Sequence, residues 1–172
     1  MSTVNFDYSD ENTINLGQAD APHTLTMILN LGCVDTQEWW LPNVADLFKA
    51  VDEGQLQLHL KFWNKIKEPL RNGNTANGYI DYQHPQAALT YIEAVFTQQQ
   101  VLRELPNEEV PAYLEKMYGV TPYPAASAVK TAVDDQICAN GITSLPTLIF
   151  DGEKRFDEQL VPLKQLFEIS RG

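Results

Sequence analysis

The chain has 172 residues, 44% hydrophobic and 20% charged. That suits one globular domain, or one domain carrying an insertion, and is too apolar for a disordered chain. With 23 acidic against 12 basic residues the net charge is −11, a sign that repels phosphate backbones and anionic lipid and argues against nucleic-acid or membrane partners.

No stretch reaches the roughly 18 apolar residues of a membrane span. Residues 1–15 have neither a basic start nor an apolar run of signal-peptide length. With Met1-Ser2-Thr3 read as a native start, the chain is expected in the cytoplasm, where Cys33 and Cys138 are thiols. His23, His59 and His84 are scattered and the two cysteines stand far apart in sequence, so no metal site is expected. The densest basic segment, Lys61–Lys67, reads as a strand end running into a solvated loop.

In chain order, residues 1–20 are polar and read as a lightly ordered lead-in. Thr24–Asn30 is short, apolar and partly β-branched, a buried strand. Gly32–Thr36 is a turn, and Gln37–Val51 has helical spacing, with Trp40, Val44, Leu47, Phe48 and Val51 on one face and Pro42 inside. Gly54 is a C-cap candidate. Leu56–Trp63 is a second strand, which makes a βαβ unit with parallel strands. Residues 64–83, rich in Asn and Gly, read as a long loop in which Tyr79, Tyr82 and His84 are candidates to line a groove.

Helices are then expected from Pro85, with Ala87, Ala88, Tyr91, Ile92, Val95 and Phe96 as its stripe, and from Asn107 as N-cap, with Val110, Leu114 and Met117 inward. Residues 125–139 form another helix with Val129, Ala132, Val133 and Ile137 inward, and Cys138 reads as a small core residue beside them. After Gly141 come a proline, an apolar strand to Phe150, an Asp151-Gly152 hairpin turn, a short returning strand at Lys154–Phe156 and a helix from Glu158 to Ile169.

The order β, α, β, helical segment, α, β, β, α has three punctuating features. Cys33 follows the first strand, Pro42 lies in the next helix, and Ile142-Thr143-Ser144-Leu145-Pro146-Thr147 precedes the apolar strand. Together with Gly17-Gln18-Ala19-Asp20-Ala21-Pro22, these residues resemble the DsbA-like branch of the thioredoxin-fold superfamily over about residues 15–170. The resemblance implies an α/β thioredoxin-like fold (βαβ…αββα) spanning residues 15–172, with a mostly helical insertion at about 64–124 and residues 1–14 as lead-in. It also implies that Pro146 is a cis-proline beside the active-site cysteine. The family motif is Cys-x-x-Cys, and here it is Cys33-Val34-Asp35-Thr36, so the resolving cysteine is a threonine.

Cys33 sits where free backbone N–H groups and the helix dipole favour a thiolate. Thr36, one turn on, could donate a hydrogen bond to that thiolate. Pro146 and Leu145 would position substrate, with Val34, Asp35 and Trp39 around it. The resulting expectation is a monothiol thiol oxidoreductase that forms mixed disulfides with protein or small-molecule thiols. It needs no bound cofactor, and glutathione or another low-molecular-weight thiol would be its co-substrate. The alternatives are a non-catalytic peptide- or protein-binding domain and a glutathione-dependent transferase or isomerase.

Overall fold

The computed structural model describes residues 5–171. Its elements are β1 (Ile14–Leu16), β2 (His23–Leu29), α1 (Val34–Asp52), β3 (Leu56–Phe62), α2 (Arg71–Asn77), α3 (Pro85–Thr97) and α4 (Gln99–Glu104), followed by α5 (Val110–Tyr118), α6 (Ala126–Ala139), β4 (Thr147–Phe150), β5 (Glu153–Arg155) and α7 (Leu163–Arg171). Single 3-10 turns precede α2, α5 and α7.

The five strands form one sheet in the order β1-β3-β2-β4-β5. β2 and β3 are parallel, joined by α1, and pair Leu25 with Leu58 and Met27 with Leu60. β4 is antiparallel to β2, pairing Met27 with Leu148, and β5 returns beside β4 through the Asp151-Gly152 turn. β2 is central and buried over most of its length, which explains its apolar run. α1 packs against β3, α3 and α7. Trp40, Leu47, Phe96, Ile137, Leu148 and Leu166 belong to one continuous core. This is the expected α/β thioredoxin-like fold with a helical insertion between β3 and α6.

The lead-in is the largest departure. Residues 1–4, including the Met1–Thr3 start, lie outside the described residues. From Asn5 onward the segment is bound to the sheet and not lightly ordered. Ile14 is fully buried and pairs with Leu60, Phe6 packs on the core, and Asn5 exchanges hydrogen bonds with the Asn140 side chain. Its anchor is Lys61, which is buried and not at the edge of a solvated loop. The Lys61 ammonium donates to Asp7 O (2.6 Å), Thr13 Oγ1 (2.7 Å) and Asn12 Oδ1 (2.8 Å). Burial pushes its pKa down to about 8, opposed by the Asp7 charge. His59, stacked on Tyr8 at 3.8 Å, is pushed down to about 4, first by burial and then by Lys61.

The Asn/Gly segment is also not a loop. It forms α2, and Asn72, Gly73 and Asn77 are buried in it. Tyr82 is buried, and none of Tyr79, Tyr82 and His84, the candidates to line a groove, lines the cleft at Cys33. Tyr79 instead lines a separate cleft with Asp81, Tyr91 and Tyr123. The helix expected from Asn107 begins at Val110, because the Asn107 side chain turns away to Asn72 Oδ1 (2.9 Å). Met117 is exposed. Cys138 is exposed and not in the core: α6 turns Val129, Val133 and Ile137 inward at intervals of four, and the next position lies about 100° round the helix. The last helix starts at Leu163, after the 3-10 turn Asp157–Gln159.

No helix among the described residues is long and apolar enough to cross a membrane, and none of these residues forms a metal-binding group of three or more.

Candidate functional site

Cys33 is the N-cap of α1, in extended conformation, so the helix begins at Val34 rather than Gln37. Its carbonyl accepts the first helical bond from Gln37 N (3.1 Å), and its amide donates to Asn30 O (3.2 Å). Its side chain makes no capping hydrogen bond. The residue is 8% exposed, and Sγ lies 3.8 Å from the carbonyl oxygen of Leu145. The Leu145–Pro146 peptide is cis. Two segments more than 100 residues apart therefore meet at the sulfur.

The turn carrying Cys33 is held from behind by the insertion. Gln99, fully buried on α4, donates from Nε2 to both Leu31 O and Cys33 O at 2.9 Å, and its Oε1 accepts from Arg103 Nε at 3.1 Å. Asn30 donates to Trp63 O (2.9 Å) and Asn74 Oδ1 (2.7 Å), and its own Oδ1 accepts from Gly32 N (2.8 Å). Asn77 Oδ1 accepts from Leu31 N at 3.2 Å. Gly32 and Gly73 touch backbone to backbone: a Cβ on Gly32 would stand 2.7 Å from Gly73 Cα. Side chains at either position are excluded by contact alone.

Thr36 occupies the place of the second cysteine. It is fully buried, and its hydroxyl is without a hydrogen-bond partner. The expected bond from Thr36 to Cys33 is thus not formed in this state.

Two clefts of opposite charge share Asp35 and Leu145, and the first is lined by Cys33 itself. One, of about 380 Å³, is lined by Cys33, Val34, Asp35, Leu145 and three cations, Lys65, Lys67 and Arg103. The other, of about 340 Å³, is lined by Asp35, Glu38, Asp157, Trp39, Leu145 and Leu160. Trp39 is mostly buried and its indole donates to Val161 O (2.8 Å), which fixes its ring as a wall of the second cleft.

The family model described as Thioredoxin matches residues 9–166. The chain belongs to the thioredoxin family. This thioredoxin-family chain has no match among curated proteins. It is similar to the solved structure of a conserved protein of unknown function from Enterococcus faecalis V583, with 29% identity and a TM-score of 0.85 over 95% of this chain and 92% of that one. It shares its fold with oxidised BdbD from Bacillus subtilis, with 13% identity and a TM-score of 0.66 over 99% and 96% of the two chains. The same holds for MdbA, a thiol-disulfide oxidoreductase from Actinomyces oris, with 17% identity and a TM-score of 0.62 over 95% and 89%.

The structure of this thioredoxin-family chain brings together Cys33, Val34, Asp35, Trp39 and Leu145 around the two clefts, with Pro146 directly behind Leu145. Thr36 lies beneath them, out of solvent. Sequence reasoning missed Lys65, Lys67 and Arg103 as one group, the acidic pair Glu38 and Asp157, and the positioning role of Gln99. The only sequence signal for any of these was the basic density of Lys61–Lys67, whose members diverge: Lys61 turns into the core while Lys65 and Lys67 face the cleft.

Proposed function

We propose that this protein carries out thiol–disulfide exchange through Cys33 alone. The observation that carries the reading is the pairing of Cys33 Sγ with the Leu145 carbonyl ahead of cis-Pro146, while Thr36 stands where a resolving sulfur would be. The Cys33 thiolate attacks a disulfide R–S–S–R′. A Sγ–S bond to R forms as the S–S bond breaks, and R′S⁻ leaves. A second thiolate, from a protein or from a low-molecular-weight thiol such as glutathione, attacks the sulfur bonded to Sγ, carries R away as a new disulfide and returns the Cys33 thiolate. One disulfide enters and one leaves, so no other redox partner or bound cofactor is required. Both cysteines are free, which suits a reducing cytoplasm. MdbA, which shares the fold and is described as a thiol-disulfide oxidoreductase, supports the reaction class.

The test is incubation of folded Cys138→Ala protein with the neutral 2-hydroxyethyl disulfide, followed by intact mass. One adduct is expected, absent in Cys33→Ser and removed by added small thiol. An unmodified Cys33 in the folded protein, with full reaction after unfolding, refutes the reading. The low exposure of Cys33 favours a second reading, a non-catalytic peptide-binding groove. Under that reading Cys33→Ser leaves partner binding intact.

A further inference from the structure

Of the chain's 12 Lys and Arg residues, three line a single cleft in a protein of net charge −11. Lys65, Lys67 and Arg103 come from two separate stretches of chain, and none of the three belongs to an ion pair among the described residues. Their other contacts leave charge to spare. Lys65 Nζ donates once, to Thr143 O at 2.8 Å, and Arg103 uses Nε for Gln99. Three cations that outnumber the one carboxylate of the cleft, Asp35, are suited to carboxylates or phosphates supplied by a ligand. The opposite cleft repeats the pattern with the sign reversed: Asp35, Glu38 and Asp157 line it and no base does.

The two clefts share Leu145 and Asp35, and the first includes Cys33 itself. A disulfide under attack at Sγ that extends past Leu145 and Asp35 would place one half in each cleft. We propose that the site sorts those halves by charge: a carboxylate-bearing low-molecular-weight thiol seats in the Lys65–Lys67–Arg103 cleft, and a basic half, such as a lysine- or arginine-flanked cysteine of a protein, seats along Asp35, Glu38 and Asp157. This rests on the exchange reading above and names its substrate class. The preferred substrate is a mixed disulfide of unlike halves. A cleft of about 380 Å³ falls at the small-ligand end of binding sites.

The probes are four disulfides of similar size, used at low ionic strength on folded Cys138→Ala protein. They are neutral 2-hydroxyethyl disulfide, dianionic 3,3′-dithiodipropionate, dicationic cystamine, and the zwitterionic mixed disulfide of 3-mercaptopropionate and cysteamine. The zwitterion is expected to react with Cys33 faster than either symmetric charged disulfide. Lys65→Gln/Lys67→Gln lowers the anionic-to-neutral rate ratio about fivefold, as expected for two partly exposed ion pairs. Glu38→Gln/Asp157→Asn lowers the cationic-to-neutral ratio by about the same factor. Raising the salt to about a molar flattens both preferences.

The control Lys49→Gln/Lys116→Gln makes the same change in net charge as the Lys65/Lys67 variant on exposed residues away from the clefts, and both ratios stay as in the parent. Equal shifts in the control, or ratios that neither cleft variant moves, overturn the sorting while the neutral disulfide still reports exchange. Absence of any Cys33-dependent adduct, the neutral one included, overturns the exchange reading and the sorting with it.

Discussion

The buried hydroxyl of Thr36 has a measurable consequence. Oγ1 is out of solvent and without a partner, on a side chain that is fully buried at the third position of α1. A buried polar group left unpaired costs about 1–3 kcal/mol relative to its hydrated state. Valine keeps the β-branched shape and has a similar helix propensity, so neither cavity nor backbone terms intervene. Thr36→Val is therefore expected to raise the unfolding free energy by about 1–2 kcal/mol, or Tm by about 2–6 °C for a chain of this length.

The assay is urea unfolding in excess reductant, followed in parallel by far-UV circular dichroism and by the fluorescence of Trp39, Trp40 and Trp63. Coincident transitions license a two-state fit. Unchanged or lower stability refutes the reasoning, because it means the hydroxyl is bonded in solution. Repeating the pair in Cys33→Ser identifies the partner: a coupling above about 0.5 kcal/mol puts that bond on the sulfur. If Thr36 is held in reserve for the thiolate, the stabilised variant also exchanges more slowly.

Lys61 supplies a pH signature. Its pKa lies near 8 in the fold against an ordinary 10.5, so between these values the unfolded chain holds a proton that the folded chain has released. Stability relative to Lys61→Met should rise with pH across that window, by at most about 1.4 kcal/mol per pH unit, and be flat below it. Thermal unfolding of both proteins from pH 6 to 10 checks this, and a difference that falls with pH contradicts it. Gly73→Ala should lower stability by about 3 kcal/mol or more, since a Cβ there would run into Asn30 Oδ1 and Gly32 N and stand 2.6 Å from Gly32 Cα, displacing both a hydrogen-bonded side chain and backbone. The same variant should displace the turn at Cys33, read as altered alkylation of that thiol. Native stability in the Gly73→Ala protein would contradict the backbone contact.

What could be read in the sequence followed the range of its physical causes. β2, β3 and β4 were legible because buried strands carry dense apolar runs, and α1, α3 and α6 because one face repeats with helical spacing. Cys33, Leu145 and Pro146 were legible as a motif. The ordered lead-in was not, because what holds it is a polar network: Asn12 and Thr13 look like loop residues until Lys61, almost 50 positions later, fills the space between them. α2 was hidden for a related reason. Asn72, Asn74 and Asn77 are poor helix formers, and they serve there as donors and acceptors to backbone and side-chain groups of distant segments. Cys138 was misplaced by one helical step, which is enough to move a side chain from core to solvent. The charged clefts were illegible because Arg103 and Asp157 join their partners only in the folded chain.

The contact between Gly32 and Gly73 decides how the molecule can move. With no side chain of their own, Gly32 and Gly73 meet backbone to backbone, and the Asn30 side chain, bonded to Gly32 N and Asn74 Oδ1, fastens that seam. Swinging the helical insertion outward would drag the turn with it, so the insertion is the fixed jaw of a vice and not its screw. Any adjustment to substrates of different girth falls to the facing jaw, the stretch from Thr143 to Leu145 together with the 3-10 turn and residues up to Val161.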